Sequence, residues 1–456
     1  MKKKTTLLFV IILIANIVKS QTISVEERIY GLSKFWEETT YNFAFFENIP
    51  NVNYDELYKD YLTKVINEED DYKYYRILQK FCAELKDGHT NIYMPKYLRE
   101  KEFYPPIRIR RIKDEIYIIN IGKSYSDEIP RGSKILKVNG QEVLSYLNEN
   151  VYPYISGAEH IVKSNGAKTM LVGLIGVDKT ITIEKPNKKN QDILIKMNGN
   201  AEKWYYPLSS NQPKNIVEYK ALKNNIGYIA INTFSKEEVV KMFISKLDSL
   251  SKHKALIIDI RYNGGGNSKY AYQITKYLTD KPYFFGEQGS TRKHLASYKA
   301  WGAFSNKEYA EALGMKPDTS KCKYEEYYYN NAWEIEKSDT IFNDVKSEKL
   351  LMPIVVLTSN NTASSSEDFL IGLDYLKRAT LIGQRTFGST GQPIFFELPN
   401  EGACRICTRK CTYFDGRKFI GIGIIPDIEL EPDIDYYLSD KDIVLEKAIE
   451  YLNKNK

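Results

Sequence analysis

Residues 354–376 read IVVLTSNNTASSSEDFLIGLDYL, and they set out a strand, a turn of small polar residues and a helix in that order. The run IVVLT is apolar and β-branched, which is typical of a strand buried on both faces. Leu370, Leu373 and Leu376 recur at helical spacing, so the second half predicts a helix with one apolar face. This order of elements is the unit from which α/β proteins are built.

The same alternation continues on both sides of this stretch. The chain offers the strands GYIAINTF (227–234) and ALIIDIR (255–261), each followed by a helical pattern, and later TLIGQ (380–384) and GIGIIPDIEL (421–430). Such near-continuous apolar strands predict an α/β sheet that is covered on both faces. Residues 283–345 are polar and aromatic with weak periodicity, so we interpret them as an insertion.

The N-terminal half has two other patterns. Residues 24–98 have helical periodicity. From residue 105 the period changes to two, and IPRGSKILKVNGQEVLSYL (129–147) contains a tight Asn139-Gly140 turn before a short amphipathic stretch. This segment resembles the second half of a PDZ-like module, whose groove binds an extended peptide by strand addition. A small β-hairpin followed by a helix is the alternative.

The start of the chain has the features of an export signal. Lys2, Lys3 and Lys4 precede an apolar run at 7–18, and small or aliphatic residues follow it. We therefore predict a cleaved signal peptide over residues 1–20 and a periplasmic or extracellular protein, with an uncleaved N-terminal anchor as the alternative. No later stretch is long and apolar enough to span a bilayer, so we expect no stable membrane span in the mature chain.

Composition limits the partners and cofactors. The whole chain has a formal net charge of +6, and four of its lysines lie within residues 1–20. The near-neutral remainder gives no reason to expect nucleic acid as a partner. In an exported protein, Cys404, Cys407 and Cys411 are compatible with one disulfide. A metal knuckle is the alternative, but no histidine lies nearby, and we expect neither a metal nor an organic cofactor.

Ser364 lies where the turn meets the helix. With Glu367 it fits a capping box, in which the serine hydroxyl accepts a backbone N–H and the glutamate reaches back. The same position suits a nucleophile, because free N–H groups and the helix dipole stabilise negative charge. The local sequence leaves both roles open.

Two further segments could serve such a nucleophile. The segment ALIIDIRYNGGGNS (255–268) places three glycines after a strand, where backbone N–H groups can approach a ligand closely. Its spacing matches neither common phosphate-binding pattern, which leaves an oxyanion-binding loop or a flexible connection. The segment AELKDGHTNIYMP (83–95) carries His89, one of four histidines, and a lone histidine is more often structural than catalytic.

Together and in their order along the chain, LKDGHT, GYIAINTF, ALIIDIRYNGGG, TASSSE, IGQRTFGSTGQ and GIGIIPDI resemble the tail-specific, or C-terminal-processing, serine peptidase family. That family also includes the tricorn core protease and interphotoreceptor retinoid-binding protein. The resemblance implies a crotonase/ClpP-like α/β catalytic core with an N-terminal helical segment and a PDZ-like module. It also implies hydrolysis of peptide bonds in polypeptide substrates, near their C-termini.

The resemblance assigns the nucleophile and the oxyanion hole to residues of this chain. The first serine of the SxxE element, Ser364, is implied to be the nucleophile. The backbone N–H of Ser365 and one from Gly264 or Gly265 are implied to form the oxyanion hole. Losing one such donor typically costs about 3–4 kcal/mol of transition-state stabilisation.

The resemblance also bears on the general base. The serine–lysine branch of the family carries a lysine in an element TFGKG, and this chain has Ser389 at that position. The tricorn-like branch uses a histidine, which His89 in DGHT matches. A histidine needs no strong pKa shift to act as a base near neutral pH. The group that orients the imidazole is left open among Asp87, Glu367 and Asp415.

These observations predict an exported serine endopeptidase that acts by Ser/His acyl-enzyme chemistry. A non-catalytic peptide- or ligand-binding protein on the same scaffold is the alternative, because the family includes a retinoid carrier. An acyl-CoA enzyme of crotonase type would leave the PDZ-like segment and the SxxE element unexplained. The predicted parts are a signal peptide (1–20), an N-terminal helical region (21–98), a PDZ-like β module (103–200), a catalytic domain (215–436, with the insertion at about 283–345) and a C-terminal helix (437–456).

Overall fold

The computed structural model describes residues 22–206, 215–439 and 441–454. The predicted signal peptide, residues 1–20, lies outside these residues. Within them, no helix is both long and apolar enough to cross a membrane.

Helices dominate the N-terminal part of the chain. Its elements are α1 (Val25–Asn42), α2 (Tyr54–Asn67), α3 (Asp71–Ala83), β1 (Asn91–Tyr93) and α4 (Lys96–Arg99). Ser24, Asn53 and Asp70 cap the first three helices, since each side-chain oxygen accepts an N–H of the first turn. Phe35 and Tyr74 are buried in an apolar cluster that also contains strands and helices of the C-terminal half. The helices therefore pack on the sheet that follows later in the chain.

The next part is a β-rich module with its own apolar core. Its elements are β2 (Glu102–Phe103), β3 (Ile107–Ile112), β4 (Glu115–Ile121), β5 (Lys134–Val138), β6 (Gln141–Glu142), α5 (Val143–Asn150), α6 (Glu159–Thr169), β7 (Gly173–Leu174), β8 (Lys179–Glu184) and β9 (Asn190–Ile195). The main sheet is antiparallel in the order β3-β4-β5-β8-β9, and β6 pairs with β5. The predicted Asn139-Gly140 turn joins β5 to β6, and both residues have a positive φ.

The first half of the central sheet follows. Its elements are β10 (Val217–Leu222), β11 (Ile226–Ile231), α7 (Glu238–Ile244), α8 (Leu247–Leu250), β12 (Ala255–Asp259) and α9 (Ser268–Thr275). Every residue of β11 and β12 is buried, as the apolar sequence predicts for strands covered on both faces.

Residues 283–345 leave the central sheet and form short elements outside it. These are β13 (Tyr283–Phe285), β14 (Gln288–Arg292), α10 (Ala296–Ala303), α11 (Lys307–Ala312), α12 (Glu325–Tyr328), β15 (Trp333–Ile335) and β16 (Thr340–Phe342). Strand β14 lies between β15 and a strand of the C-terminal part, which fastens this segment to the rest of the molecule.

The C-terminal part completes the central sheet. Its elements are β17 (Ile354–Thr358), α13 (Ser365–Leu376), β18 (Ala379–Gly383), β19 (Pro393–Leu398), β20 (Gly402–Cys407), β21 (Arg409–Thr412), β22 (Ile428–Glu429), α14 (Ile434–Leu438) and α15 (Ile443–Lys454). The sheet has the order β10-β11-β12-β17-β18-β22, and all neighbours are parallel except β10 and β11. The predicted alternation of strands and helices is confirmed.

A small separate sheet connects the two ends of the chain. Strand β1, from the helical N-terminal part, pairs antiparallel with β20, which in turn pairs with β19. Arg405 of β20 donates from Nε to the Asn91 side chain at 2.8 Å and from its terminal nitrogen to the Gly88 carbonyl at 3.2 Å. The Cys407 N–H donates to Oγ1 of Thr90 at 3.1 Å. These contacts fix residues 88–91 beside β20 of the C-terminal part.

The cysteines do not form the disulfide that the sequence suggests. Cys404, Cys407 and Cys411 are buried, and all five cysteines of the chain are free thiols. The disulfide expected among these three is therefore not formed in this structure. Burial raises the pKa of each of the three thiols, which keeps them protonated and apolar in character.

A buried ion-pair network fastens α15 to the central sheet. Arg261 follows β12 and donates to Asp259 from Nε and to Asp442 from both terminal nitrogens, the latter at 2.8 Å. All three side chains are buried. Asp442 also accepts the Leu445 N–H at 3.1 Å, so it caps the first turn of α15 as well.

We expect Asp442→Ala to lower the free energy of unfolding by about 3 kcal/mol, because it leaves the buried Arg261 guanidinium with only one carboxylate. The exposed pair of Lys307 and Glu311 is the control, and Glu311→Ala should cost less than about 1 kcal/mol. Urea unfolding of the three proteins measures both values. Equal losses for the two variants would show that the buried network does not fasten α15.

Candidate active site

Ser364 has a strained backbone. It lies between β17 and α13 with φ 55° and ψ −128°, a conformation that costs a non-glycine residue about 1–3 kcal/mol. The capping residues Ser24, Asn53 and Asp70 instead have extended backbones with negative φ, and their side chains accept first-turn N–H groups. A sharp strained turn from strand to helix is the device that exposes a nucleophilic hydroxyl in α/β-hydrolases.

Glu367 holds this turn in place. Its Oε2 accepts the Ser364 N–H at 3.2 Å and the Ser389 N–H at 3.1 Å, and its Oε1 accepts the Gly388 N–H at 2.8 Å. The Thr386 hydroxyl also donates to Oε1. Burial raises the pKa of Glu367 to about 7, although these hydrogen bonds favour the charged form. The carboxyl group thus ties the Ser364 turn to residues 386–389.

His89 lies on the other side of that loop. Its Nδ1 makes a short hydrogen bond with Oγ of Ser389, and the Ser389 hydroxyl donates to Oδ1 of Asp87 at 3.4 Å. Since the carboxylate can only accept, this chain of contacts places the imidazole proton on Nδ1. Nε2 then carries the lone pair, and within the described residues no hydrogen bond uses it.

The surroundings keep the His89 imidazole neutral. Burial, with a further contribution from the positive charge of Arg405, lowers the pKa of His89 to about 4. Asp87 is buried beneath it, where its Oδ2 accepts the His89 N–H at 3.1 Å and the Thr90 hydroxyl at 2.7 Å. Burial raises the pKa of Asp87. At pH 7 the imidazole is thus able to accept a proton.

Ser364 and His89 meet at one residue, Ser389. The Ser389 carbonyl accepts the Ser364 N–H at 3.2 Å, and its hydroxyl contacts the imidazole. Over the described ranges, the Ser364 hydroxyl and the imidazole share no direct hydrogen bond. In free enzymes such bonds are often long and shorten only when substrate binds.

The glycine loop reaches the nucleophile turn. A Cβ on Gly265 would lie 2.6 Å from Cβ of Ser364, and the φ of Gly265 is +96°. Its N–H, however, donates to Oδ1 of Asn263 at 3.0 Å and is not available to a ligand. The N–H groups of Ser365 and Gly264 have no acceptor among the described residues. Gly265 therefore permits the close approach, and Ser365 and Gly264 are the available oxyanion donors.

The three candidate orienting acids have different positions. Among the described residues, Asp415 pairs with Arg417 at 2.8 Å on an exposed turn and shares no hydrogen bond with His89, so the structure does not support it as the orienting acid. Arg417, two residues later in the sequence, was the available sign of this pairing. Glu367 accepts hydrogen bonds from the Ser364 turn and from residues 386–389, and not from the His89 imidazole. Asp87 reaches the ring through the Ser389 hydroxyl.

Sequence reasoning missed two residues that organise the site. Ser389 was noted only as the residue that replaces a lysine, although that position already marked it as facing the nucleophile. Asn263 accepts the Gly265 N–H through its side chain, and its carbonyl accepts the Ala363 N–H and the Ser366 hydroxyl. Its place directly before three glycines was the available signal.

Comparisons with known proteins bear on the same region. Residues 225–430 match the model of peptidase family S41. The chain is 26% identical over 249 residues to a carboxy-terminal-processing protease of Bartonella bacilliformis, which covers 52% of this chain and 47% of that protein. It is 24% identical over 303 residues to the carboxy-terminal processing protease CtpA of Bacillus subtilis, which covers 66% of this chain and 49% of that one. The chain thus spans about half the length of these relatives.

One solved structure shares the fold over nearly the whole chain. The crystal structure of mature CPAF superposes with a TM-score of 0.69 and covers 94% of this chain and 96% of that one. The sequence identity is 17%, so the likeness extends to the fold alone.

We expect the buried, neutral His89 to lower the free energy of unfolding as the pH falls. Its folded pKa of about 4 lies below the ordinary value near 6.5, so the unfolded chain binds the proton first as the pH falls through 6.5 towards 4. Wild type should therefore lose about 2 kcal/mol more unfolding free energy than His89→Gln between pH 7.5 and pH 5. Urea unfolding at both pH values measures the difference. Parallel losses in the two proteins would contradict the buried, neutral imidazole.

Proposed function

We propose that the protein is a serine peptidase of family S41, whose model residues 225–430 match, and that Ser364 attacks the carbonyl carbon of a peptide bond. The strained backbone of Ser364 is the observation that carries this proposal. A helix cap works from an extended backbone, as Ser24 does, and gains nothing from a left-handed φ. A nucleophile gains exposure of its hydroxyl beside free N–H groups.

His89 is the general base in this proposal. Nε2 takes the proton from the Ser364 hydroxyl as the Oγ–carbon bond forms, and the resulting imidazolium later gives the proton to the leaving amine. The acyl-enzyme is then hydrolysed by water, with His89 acting again as base and acid. The low pKa of His89 ensures that the base is unprotonated in the free enzyme.

The N–H groups of Ser365 and Gly264 stabilise the negative charge that develops on the carbonyl oxygen. Ser365 is the first residue of α13, so its N–H is one of the four that a helix leaves without an internal partner. The positive end of the helix dipole points to the same place. Each of the two donors contributes about 3–4 kcal/mol of transition-state stabilisation.

Ser389 and Asp87 are positioning residues. The Ser389 hydroxyl oxygen accepts a hydrogen bond from the Nδ1–H group of His89, and its own proton is donated to the Asp87 carboxylate. The proton therefore stays on Nδ1, and Nε2 remains the basic nitrogen. This arrangement replaces a direct histidine–carboxylate contact with a hydroxyl relay. The relay supports a triad in which the third member is a serine backed by an acid.

The proposed substrates follow from the relatives. Both curated relatives are named as proteases that process carboxyl termini, which supports cleavage of polypeptides near their C-termini. The five-strand antiparallel path β3-β4-β5-β8-β9 with helices α5 and α6 supports a PDZ-like module that holds an extended peptide. The parallel sheet with the glycine loop and α13 supports a crotonase/ClpP-like core.

We propose the same division of the chain into parts that the sequence predicts. They are an N-terminal helical region at 21–98, the PDZ-like module at 103–200, the catalytic domain at 215–436 with an insertion at about 283–345, and a C-terminal helix within 437–456. Residues 1–20 supply the export signal, and the mature enzyme works in the periplasm or outside the cell.

We expect Ser364→Ala to abolish peptide hydrolysis without loss of stability, and Ser364→Gly to be inactive and about 1 kcal/mol more stable than wild type. Glycine relieves the strain of the positive φ, whereas at a true cap it would bring no gain. Ser24→Ala is the control and should lose about 1 kcal/mol as an ordinary cap. Hydrolysis of a fluorogenic peptide and urea unfolding measure both effects. Retained hydrolysis in Ser364→Ala would show that the serine is not the nucleophile.

We expect Ser389→Ala to lower kcat by roughly 100-fold with little change in KM, because the imidazole loses the partner that fixes its tautomer. Ser389→Thr keeps the hydroxyl and should recover most of the rate. A loss through misfolding would not be rescued in this way and would also lower the melting temperature. Full activity of Ser389→Ala would contradict the relay.

A further inference from the structure

A cavity of about 370 Å³ lies beside the start of the loops that carry Ser364 and the glycines. It opens where three parts of the chain meet: β3 and α6 of the β module, the carboxyl ends of β12 and β17, and the segment around α14. None of Ser364, His89 and Ser389 lines it. In open α/β sheets, ligands bind outside the carboxyl ends of the strands, and the volume is in the range of small-molecule sites.

Positive charge predominates in the cavity wall. The cationic lining residues are Arg110, Arg111, Lys113, Lys163, Lys168 and Arg261, against the two carboxylates of Glu431 and Asp433. Both carboxylates have other partners, since Glu431 accepts from the Gln384 amide at 2.9 Å and Asp433 accepts the Tyr436 N–H at 2.9 Å. Neither donor is charged, so both carboxylates keep their negative charge. Three of the six cations, Arg111, Lys163 and Arg261, are paired with carboxylates that do not line the cavity. The unpaired positive charge therefore comes from the remaining cations.

Two of these cations face the cavity without an acidic partner. Lys168 donates from Nζ to Oδ1 of Asn165 at 3.1 Å, and Arg110 donates to the carbonyl of Ile109 and packs over the ring of Tyr437. Among the residues that the structure describes, no carboxylate forms a salt bridge with either side chain. Arg261, Arg111 and Lys163 differ in this respect, since all three have carboxylate partners, and Lys113 differs in being exposed.

Burial makes this arrangement costly for the empty protein. It lowers the pKa of Lys168 to about 8, and the nearby charge of Arg110 adds to the effect. Two like charges held together in a partly enclosed site repel each other, and an anion placed between them would remove the repulsion.

We propose that this cavity binds a small polyvalent oxyanion, a free molecule that carries phosphate groups or several carboxylates. Lys168 and Arg110 are its principal ligands. A single carboxylate group would offset only one of these two positive charges, whereas a polyvalent anion can offset both, and arginine and lysine are the side chains that bind such groups. Tyr262 and Asn361, which follow β12 and β17, also line the cavity.

Such a ligand would join the β module to the catalytic core. Lys168 lies on α6 of the module, and the same helix carries His160, whose Nε2 is 2.8 Å from the carbonyl oxygen of Thr386. The anion would thus add a second link between α6 and the core, and it should stabilise the folded protein in proportion to its affinity.

The test is isothermal titration of the full chain with pyrophosphate and, separately, with citrate at constant ionic strength. We expect saturable binding of one or both anions with about one site per chain. Binding of pyrophosphate alone identifies a phosphate-bearing ligand, and binding of citrate alone identifies a polycarboxylate. If neither anion shows saturable binding up to about 10 mM, the proposal is wrong.

Variants locate the site. Lys168→Met and Arg110→Gln should each weaken binding by roughly tenfold or more, because each removes a charge-assisted contact. The exposed Lys307→Met is the control and should bind as wild type does. The melting temperature without ligand shows whether each variant folds, and if Lys168→Met does not, Arg110→Gln decides. Wild-type affinity in the folded cavity variants, or an equal loss in the control, would overturn the assignment.

Discussion

Strand β1 pairs with β20 over only three residues, and this short antiparallel ladder brings His89 beside the turn that holds Ser364. The histidine comes from the helical N-terminal part of the chain and the serine from the C-terminal half. Arg405 reinforces the ladder from β20 by binding the Asn91 side chain and the Gly88 carbonyl. The same guanidinium contributes to the low pKa of His89. One residue thus takes part both in placing the base and in keeping it neutral.

The second constraint is the strain at Ser364. A left-handed φ persists in a non-glycine residue only when its surroundings over-determine it. Here Glu367 supplies that constraint, since one buried carboxyl group accepts hydrogen bonds from the Ser364 turn and from residues 386–389. In the proposed mechanism, Glu367 therefore positions the nucleophile, and Asp87 and Ser389 position the base. The sequence offered a capping box and a nucleophile position as alternatives, and Glu367, the glutamate of the capping box, holds the turn that the proposal assigns to the nucleophile.

Local patterns were sufficient for the elements of the central sheet, because buried parallel strands and amphipathic helices have clear periodicities. No single local pattern assigned Ser364, His89 or the glycine loop to a catalytic site; the order of several motifs along the chain did so. Local patterns were not sufficient for contacts between distant segments. The role of Ser389 depends on where the β1–β20 pairing places an imidazole, and the exclusion of Gly265 as a donor depends on the Asn263 side chain. Asp415 was a candidate to orient the imidazole because it is an acid in the C-terminal part, but it pairs with Arg417 on an exposed turn.

The proposed mechanism depends on Ser364 acting together with His89, and fluorophosphonate labelling followed by peptide mapping tests this most directly. A neutral imidazole placed against an activated hydroxyl should give a covalent adduct on Ser364 in the wild-type chain. The adduct should form far more slowly in His89→Gln, while the folded state of that variant at neutral pH is intact. An adduct on a different residue, or labelling of Ser364 at the same rate without His89, would contradict the account.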